Sequence, residues 1–129
     1  MVKDKTVSEL VIKCAYEVSN RLGVGFLESV YESALCIELD RIGLEYQRQA
    51  PVEVAYRQQQ IGYFVADLIV EGKLLVELKA LAGFASQHTA QVMNYLKATD
   101  LQVGLLINFG TSKLGIKRLV WQYNETEII

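Results

Sequence analysis

The chain has 129 residues, 51% of them apolar, with one proline and a formal net charge of −2. That length fits one domain spanning 1–129, with a core large enough to need no disulfides, and the composition excludes a disordered chain. The acidic balance, with a pI near 5.4, argues against a protein that coats nucleic acid non-specifically, while a local basic face stays open.

The opening stretch MVKDKTVSEL holds no apolar signal core, and the longest apolar stretch, near VGLLINF, is too short to span a bilayer. A cytoplasmic protein with no membrane partner is expected. Thr6 and Glu9 have the spacing of a capping box. Behind them Leu10, Val11, Cys14, Val18 and Leu22 recur at helical spacing up to Gly23, a natural stop. A second helix is predicted from about Phe26 to Ile42, with Leu27, Val30, Tyr31, Ala34, Leu35 and Ile42 as its core stripe. Cys14 and Cys36 fall on apolar positions of these helices without a CxxC or Cys/His cluster. They read as reduced core thiols.

Past Gly43 the period changes. Val52, Val54 and Tyr56 alternate with Glu53, Ala55 and Arg57, as in a strand covered on one face. QQQIG reads as a loop, and YFVADLIV and KLLVELKA as two strands of a hairpin. SQHTAQVMNYLKATD reads as a helix with Ser86 as N-cap, and QVGLLINF and GIKRLVWQY as two further strands. The predicted order is α-α-β-β-β-α-β-β.

Three charges interrupt the apolar hairpin. Asp67 lies in its first strand, Glu77 and Lys79 in its second. A charge in a segment that wants burial is costly unless paired or used. Side chains alternate across a sheet, so Glu77 and Lys79 share a face. A three-residue loop Glu71-Gly72-Lys73 sets Asp67 opposite Glu77, and a loop Val70-Glu71-Gly72 sets it diagonally; both place it on that face, whereas a two-residue Glu-Gly loop would put the acids on opposite faces. Phe64, Ala66, Leu68 and Val70 would then form an apolar back face with Leu74, Val76, Leu78 and Ala80. Two adjacent carboxylates repel. A divalent cation relieves this, and a nearby lysine can polarise a bound water. The plainer alternative is a charge patch that Lys79 neutralises.

Asp67, a gap, then Glu77-Leu78-Lys79 resembles the PD-(D/E)xK nuclease superfamily, with Ala66 in place of the usual proline. GVGFLESVYESAL, with Gly25, Glu28 and Tyr31 in G-x-x-E-x-x-Y order, looks like the GxxExxY family, a small bacterial and archaeal branch of it. VELKA, AQVMNYLKAT and GLLINFG match as well, so the resemblance covers nearly the whole chain. It implies an α/β (α+β) fold with a restriction-endonuclease-like α-β-β-β-α-β core, a mixed sheet flanked by helices. It implies Mg2+ or Mn2+ held by Asp67, Glu77 and the Leu78 carbonyl. It gives Lys79 water activation or phosphate contact, and adds Glu28 and Gln91 to the catalytic set. From the residues alone, Glu28 also suits a helix N-terminus whatever its function. Tyr31 reads as a core residue hydrogen-bonded to Glu28 or its neighbours. His88, Gln91 and Tyr95 share a helix face, His88 reads as solvated or capping, and Gln91 wants a partner.

Two functions stay open. One is a metal-dependent endonuclease or exonuclease acting on DNA or RNA, with Arg41, Arg48, Arg57, Lys113, Lys117 and Arg118 as candidate backbone contacts. The other is a binding or assembly module that keeps the nuclease fold without turnover. A homodimer would let so small a nuclease engage both strands. No Walker loop, G-x-S-x-G or HExxH points to another enzyme class.

Overall fold

The structure is a computed structural model that describes residues 4–121, with side chains from residue 6 onward. Eight elements follow in the expected order: α1 (Asp4–Leu22), α2 (Glu28–Arg41), β1 (Tyr46–Tyr56), β2 (Gln59–Val70), β3 (Leu74–Lys79), α3 (Ser86–Thr99), β4 (Val103–Asn108) and β5 (Gly115–Val120). The strands form one mixed sheet, β1-β2-β3-β4-β5. β3 and β4 run parallel, joined by the crossover through α3 that a parallel pair requires. The other neighbouring pairs are antiparallel.

Helices cover both faces. Val7, Val11 and Val18 of α1 and Tyr31, Leu35 and Leu39 of α2 pack on Leu68, Val76, Leu78, Leu105 and Ile107. On the other face Val92, Tyr95 and Leu96 of α3 pack on Leu75 and Leu106. The central strands β3 and β4 are therefore buried on both sides, which is why they read as nearly unbroken apolar runs.

Several sequence expectations shift. α1 begins at Asp4, so Thr6 lies inside the helix rather than capping it. In α2 the core stripe is Tyr31, Leu35 and Leu39, flanked by Glu32 and Cys36. Leu27 is the N-cap and Ile42 the C-cap, where helical spacing no longer binds a side chain to the core face. Leu27, Val30 and Ile42 are exposed. QQQIG is mostly strand: the turn is Arg57-Gln58, both left-handed (φ 51° and 65°), a two-residue primed turn without the usual Asn-Gly signature.

β1 and β2 outrun the rest of the sheet, since β3 pairs only with Leu68, Ile69 and Val70 of β2. The free part of the hairpin curls over α3. Ala66 accordingly packs with Val92 and Tyr95, and the Phe64 ring lies 5.8 Å from that of Tyr95. These two residues do not join Leu68 and Val70 on the α1–α2 side, as strict alternation predicted. Ala85, not Ser86, is the N-cap of α3. Its N–H donates to His88 Nδ1 at 2.9 Å, so His88 is a capping histidine. β5 ends at Val120, and the residues of its expected continuation beyond 121 lie outside those described.

Candidate active site

The β2–β3 connection settles where Asp67 stands. Val70 pairs with Leu74, Ile69 with Leu75 and Leu68 with Val76. The loop is thus Glu71-Gly72-Lys73, closed by the Lys73 N–H on the Val70 carbonyl at 3.0 Å, with Glu71 and Gly72 both left-handed. The paired register ends at Leu68 and Val76, and the next two residues are Asp67 and Glu77. Their side chains continue what the backbones leave off. Glu77 Oε1 accepts the Asp67 N–H at 2.9 Å. Asp67 Oδ2 accepts the Leu78 N–H at 2.7 Å.

Both carboxyls are held above their ordinary range. Burial pushes Asp67 up to about 6; the charges of Glu32 and Glu28 add to this, while the Leu78 N–H and Lys79 oppose it. Burial also pushes Glu77, only 5% exposed, up to about 8; Asp67 adds, and the Asp67 N–H and Lys79 oppose.

Lys79, half-buried at the end of β3, pairs with Asn108 of β4, and its carbonyl accepts the Phe109 N–H at 2.8 Å. Buried Asn108 then clamps the chain just beyond. It exchanges two hydrogen bonds with Leu81, N–H to Oδ1 at 2.9 Å and Nδ2 to carbonyl at 3.0 Å, and accepts the Gly110 N–H at 3.0 Å. Gly110 lies so close to Leu81 that any Cβ would collide with the Leu81 backbone. The GLLINFG stretch therefore fixes the strand end that carries Lys79.

Glu28 sits in the first turn of α2, exposed, yet its charge reaches both Asp67 and Glu77. Its place is set by the other members of the motif. Gly25 has φ 112°, a conformation side chains disfavour. Buried Tyr31 donates its hydroxyl to the Gly23 carbonyl at 2.6 Å and accepts the Phe26 N–H at 3.3 Å. Its ring stacks on Phe109 at 4.6 Å. Tyr31 thus ties down the loop that launches α2, through Gly23 and Phe26 rather than through Glu28 itself.

Gln91 is set back from the carboxylates. Its Nε2 donates to the Tyr95 hydroxyl at 3.2 Å. Tyr95 lies near enough to the acids that, after burial, the charges of Glu77 and Asp67 raise its hydroxyl pKa. His88 is occupied in its cap. One participant escaped the sequence reading: Glu32, buried one turn after Glu28. It accepts Arg48 Nε at 2.6 Å and Gln49 Nε2 at 3.0 and 3.1 Å. Gln49, left-handed at φ 53°, stands in β1 between the residues paired with Leu68 and Ala66, hence opposite Asp67. The i, i+4 spacing of Glu28 and Glu32 was the available signal.

The donors suit a hard divalent cation. One oxygen of each carboxylate is used by a backbone N–H, which leaves the second oxygen of each. A strand residue turns its N–H and carbonyl toward the same neighbour, so the Leu78 carbonyl faces the side of Asp67. Two carboxylates and a carbonyl, completed by water, form an oxygen set of the kind magnesium takes. Among the described residues no three His, Cys, Asp or Glu side chains gather as a ready-made cage.

A mixed sheet between helices, with an acid and an acid-x-Lys meeting where two strands part, defines a restriction-endonuclease-like fold. The model of the PD-(D/E)XK nuclease superfamily matches residues 5–119, and the chain belongs to that superfamily. Its members usually employ divalent metals such as Mg2+. A crystal structure of SSO0001 has a similar fold, with a TM-score of 0.57 and 17% identity over 92% of this chain. The match spans 59% of that longer chain. No curated protein matches the sequence. No helix among the described residues is long and apolar enough to cross a membrane.

Proposed function

We propose that the chain is a metal-dependent nuclease of the GxxExxY branch that hydrolyses phosphodiester bonds in DNA or RNA. The observation that carries this is the mutual lock of Asp67 and Glu77. Two acids are held together, largely buried, where a purely structural strand would place apolar groups. Asp67, Glu77 and the Leu78 carbonyl would hold Mg2+ or Mn2+. The ion, when bound, supplies Lewis-acid charge and a water of lowered pKa. Lys79 orients that water or steadies the charge developing on the phosphate oxygens. Glu28 adds acidic character to the rim, and Gln91 holds Tyr95 in place beside the acids.

The competing reading, a nuclease fold retained for binding, draws on two of the candidate backbone contacts lying against acids. Glu32 engages Arg48, and Glu38 lies 3.8 Å from Arg41. Incubation of single- and double-stranded DNA and RNA with the protein, with Mg2+, Mn2+ or chelator, separates the two. Cleavage that needs metal and is lost in Lys79→Ala supports the nuclease. No cleavage of any substrate, or equal cleavage by Lys79→Ala, removes it.

A further inference from the structure

A groove of about 740 Å3 lies between α3 and the overhanging β1–β2 hairpin, beside the carboxylates rather than on them. We propose that this groove receives an unpaired nucleobase, so that the substrate class is single-stranded nucleic acid whose phosphate lies at Asp67 and Glu77. The inference rests on the nuclease reading and goes further, to the form of nucleic acid engaged.

Three observations carry it. The first is a stacking platform. Phe64 lines the groove with its side chain half-exposed, and beside it lies the ring of Tyr95. Gly62, two residues before Phe64, leaves the space the ring occupies, since a Cβ there would stand 3.2 Å from its edge. The second is the polar lining. Gln87, Gln91 and Asn94 bring three side-chain amides to the α3 wall, each with donors and acceptors suited to a base edge. Glu53 on the hairpin wall is hostile to a phosphate but can accept from a base amino group. Tyr95 joins this groove to the acids, because its hydroxyl holds Gln91 and its ring packs with Leu75 two residues from Glu77.

The third is the charge of the groove, whose lining holds one cation, Lys97, along with one acid, Glu53. A duplex binder draws most of its affinity from phosphate contacts. Here Arg48 and Arg41 lie against glutamates, Arg57 lies over the Tyr56 ring and Lys117 over the Phe84 ring. Base–aromatic stacking is the other source of affinity, and it is open only to unpaired bases.

The test is binding by the full chain in chelator, so that no cleavage intervenes, read by fluorescence anisotropy of labelled oligonucleotides. The probes are a short oligothymidylate, an oligouridylate, an abasic strand of equal charge and a matched duplex. Two variants accompany wild type: Phe64→Ala, which removes the platform from a half-exposed site, and Ala90→Phe, which fills the groove from an exposed helix position. Circular dichroism melts confirm that both fold. Base-bearing single strands should bind more tightly than the abasic strand or the duplex. Each variant should weaken them by about tenfold, in line with the loss of one stacked base, and leave abasic binding unchanged. The oligothymidylate and oligouridylate arms distinguish DNA from RNA as the source of the base. Equal binding of abasic and base-bearing strands, or full affinity in folded Phe64→Ala, overturns the proposal. If instead metal-dependent cleavage proves absent while base-dependent binding persists, the nuclease reading falls and the groove assignment stands.

Discussion

Asp67 and Glu77 each bind the backbone beside the other: Glu77 accepts the Asp67 N–H, and Asp67 accepts the N–H of Leu78, the residue after Glu77. The arrangement orients both carboxylates and leaves their mutual repulsion in place. Burial raises both pKa values, helped at Glu77 by the charge of Asp67 and at Asp67 by those of Glu32 and Glu28, which makes the pair a source of pH-dependent stability.

For Glu77 the folded value is about 8 against an ordinary 4.5. The folded state therefore keeps a proton that the unfolded chain gives up. Stability from this site is complete below about 4.5 and is lost as pH rises through about 8. Glu77→Gln mimics the protonated form and should escape this loss. Wild type and Glu77→Gln should melt alike in mild acid, and wild type should fall progressively below the variant toward pH 8. Added Mn2+ competes with the protons, so its stabilisation of wild type should grow over the same range. A gap between the two proteins that does not change with pH would show that Glu77 is ionised throughout.

Tyr31 makes a prediction independent of any metal. Its hydroxyl serves both the Gly23 carbonyl and the Phe26 N–H. Tyr31→Phe keeps the stacking on Phe109 and strands two backbone groups. The loss should be about 1–2 kcal/mol in urea unfolding, and several degrees in Tm. A Tyr31→Phe protein as stable as wild type would mean that water takes over both bonds, and that the motif tyrosine serves the core by its ring alone.

The element order and the meeting of the two acids were legible because they depend on local signals. A change of period marks each element, and either three-residue turn puts both acids on one face, though a two-residue turn would have parted them. What failed depended on distant packing. Leu27, Val30 and Ile42 have the spacing of a core stripe, but the sheet meets α2 along Tyr31, Leu35 and Leu39, and nothing in the helix itself marks that choice. Phe64 and Ala66 alternate correctly with Leu68, yet the hairpin curls away where β3 stops pairing with β2. Glu32 drew no notice in the sequence because its partners, Arg48 and Gln49, come from another element.

Gly110 tests the clamp behind Lys79. A methyl group there meets the Leu81 backbone, which cannot rotate away as a side chain could. Gly110→Ala should cost about 1–3 kcal/mol, as overpacking does. Because the displaced segment leads directly from Lys79, any metal-dependent cleavage should fall by more than the loss of folded protein explains. A variant with normal stability and normal turnover would show that the loop yields freely and takes no part in placing Lys79.

Asp67→Asn separates a metal site from a structural charge patch without any substrate. The amide keeps an oxygen for the Leu78 N–H and removes the charge that helps raise Glu77. If the acids are held together for a metal, metal-free Asp67→Asn near pH 8 should be as stable as wild type or more so. Mn2+ should then raise the Tm of wild type and leave the variant unmoved, since one of two carboxylate ligands is gone. At a concentration a hundredfold above its Kd the ion stabilises by about 2.7 kcal/mol, well within reach of a thermal melt. If Asp67 instead serves Lys79 and the backbone as a fixed counter-charge, the same substitution should destabilise the protein, and Mn2+ should leave both forms unchanged. A destabilised variant beside a metal-indifferent wild type would sink the metal-site reading and, with it, the proposed hydrolysis.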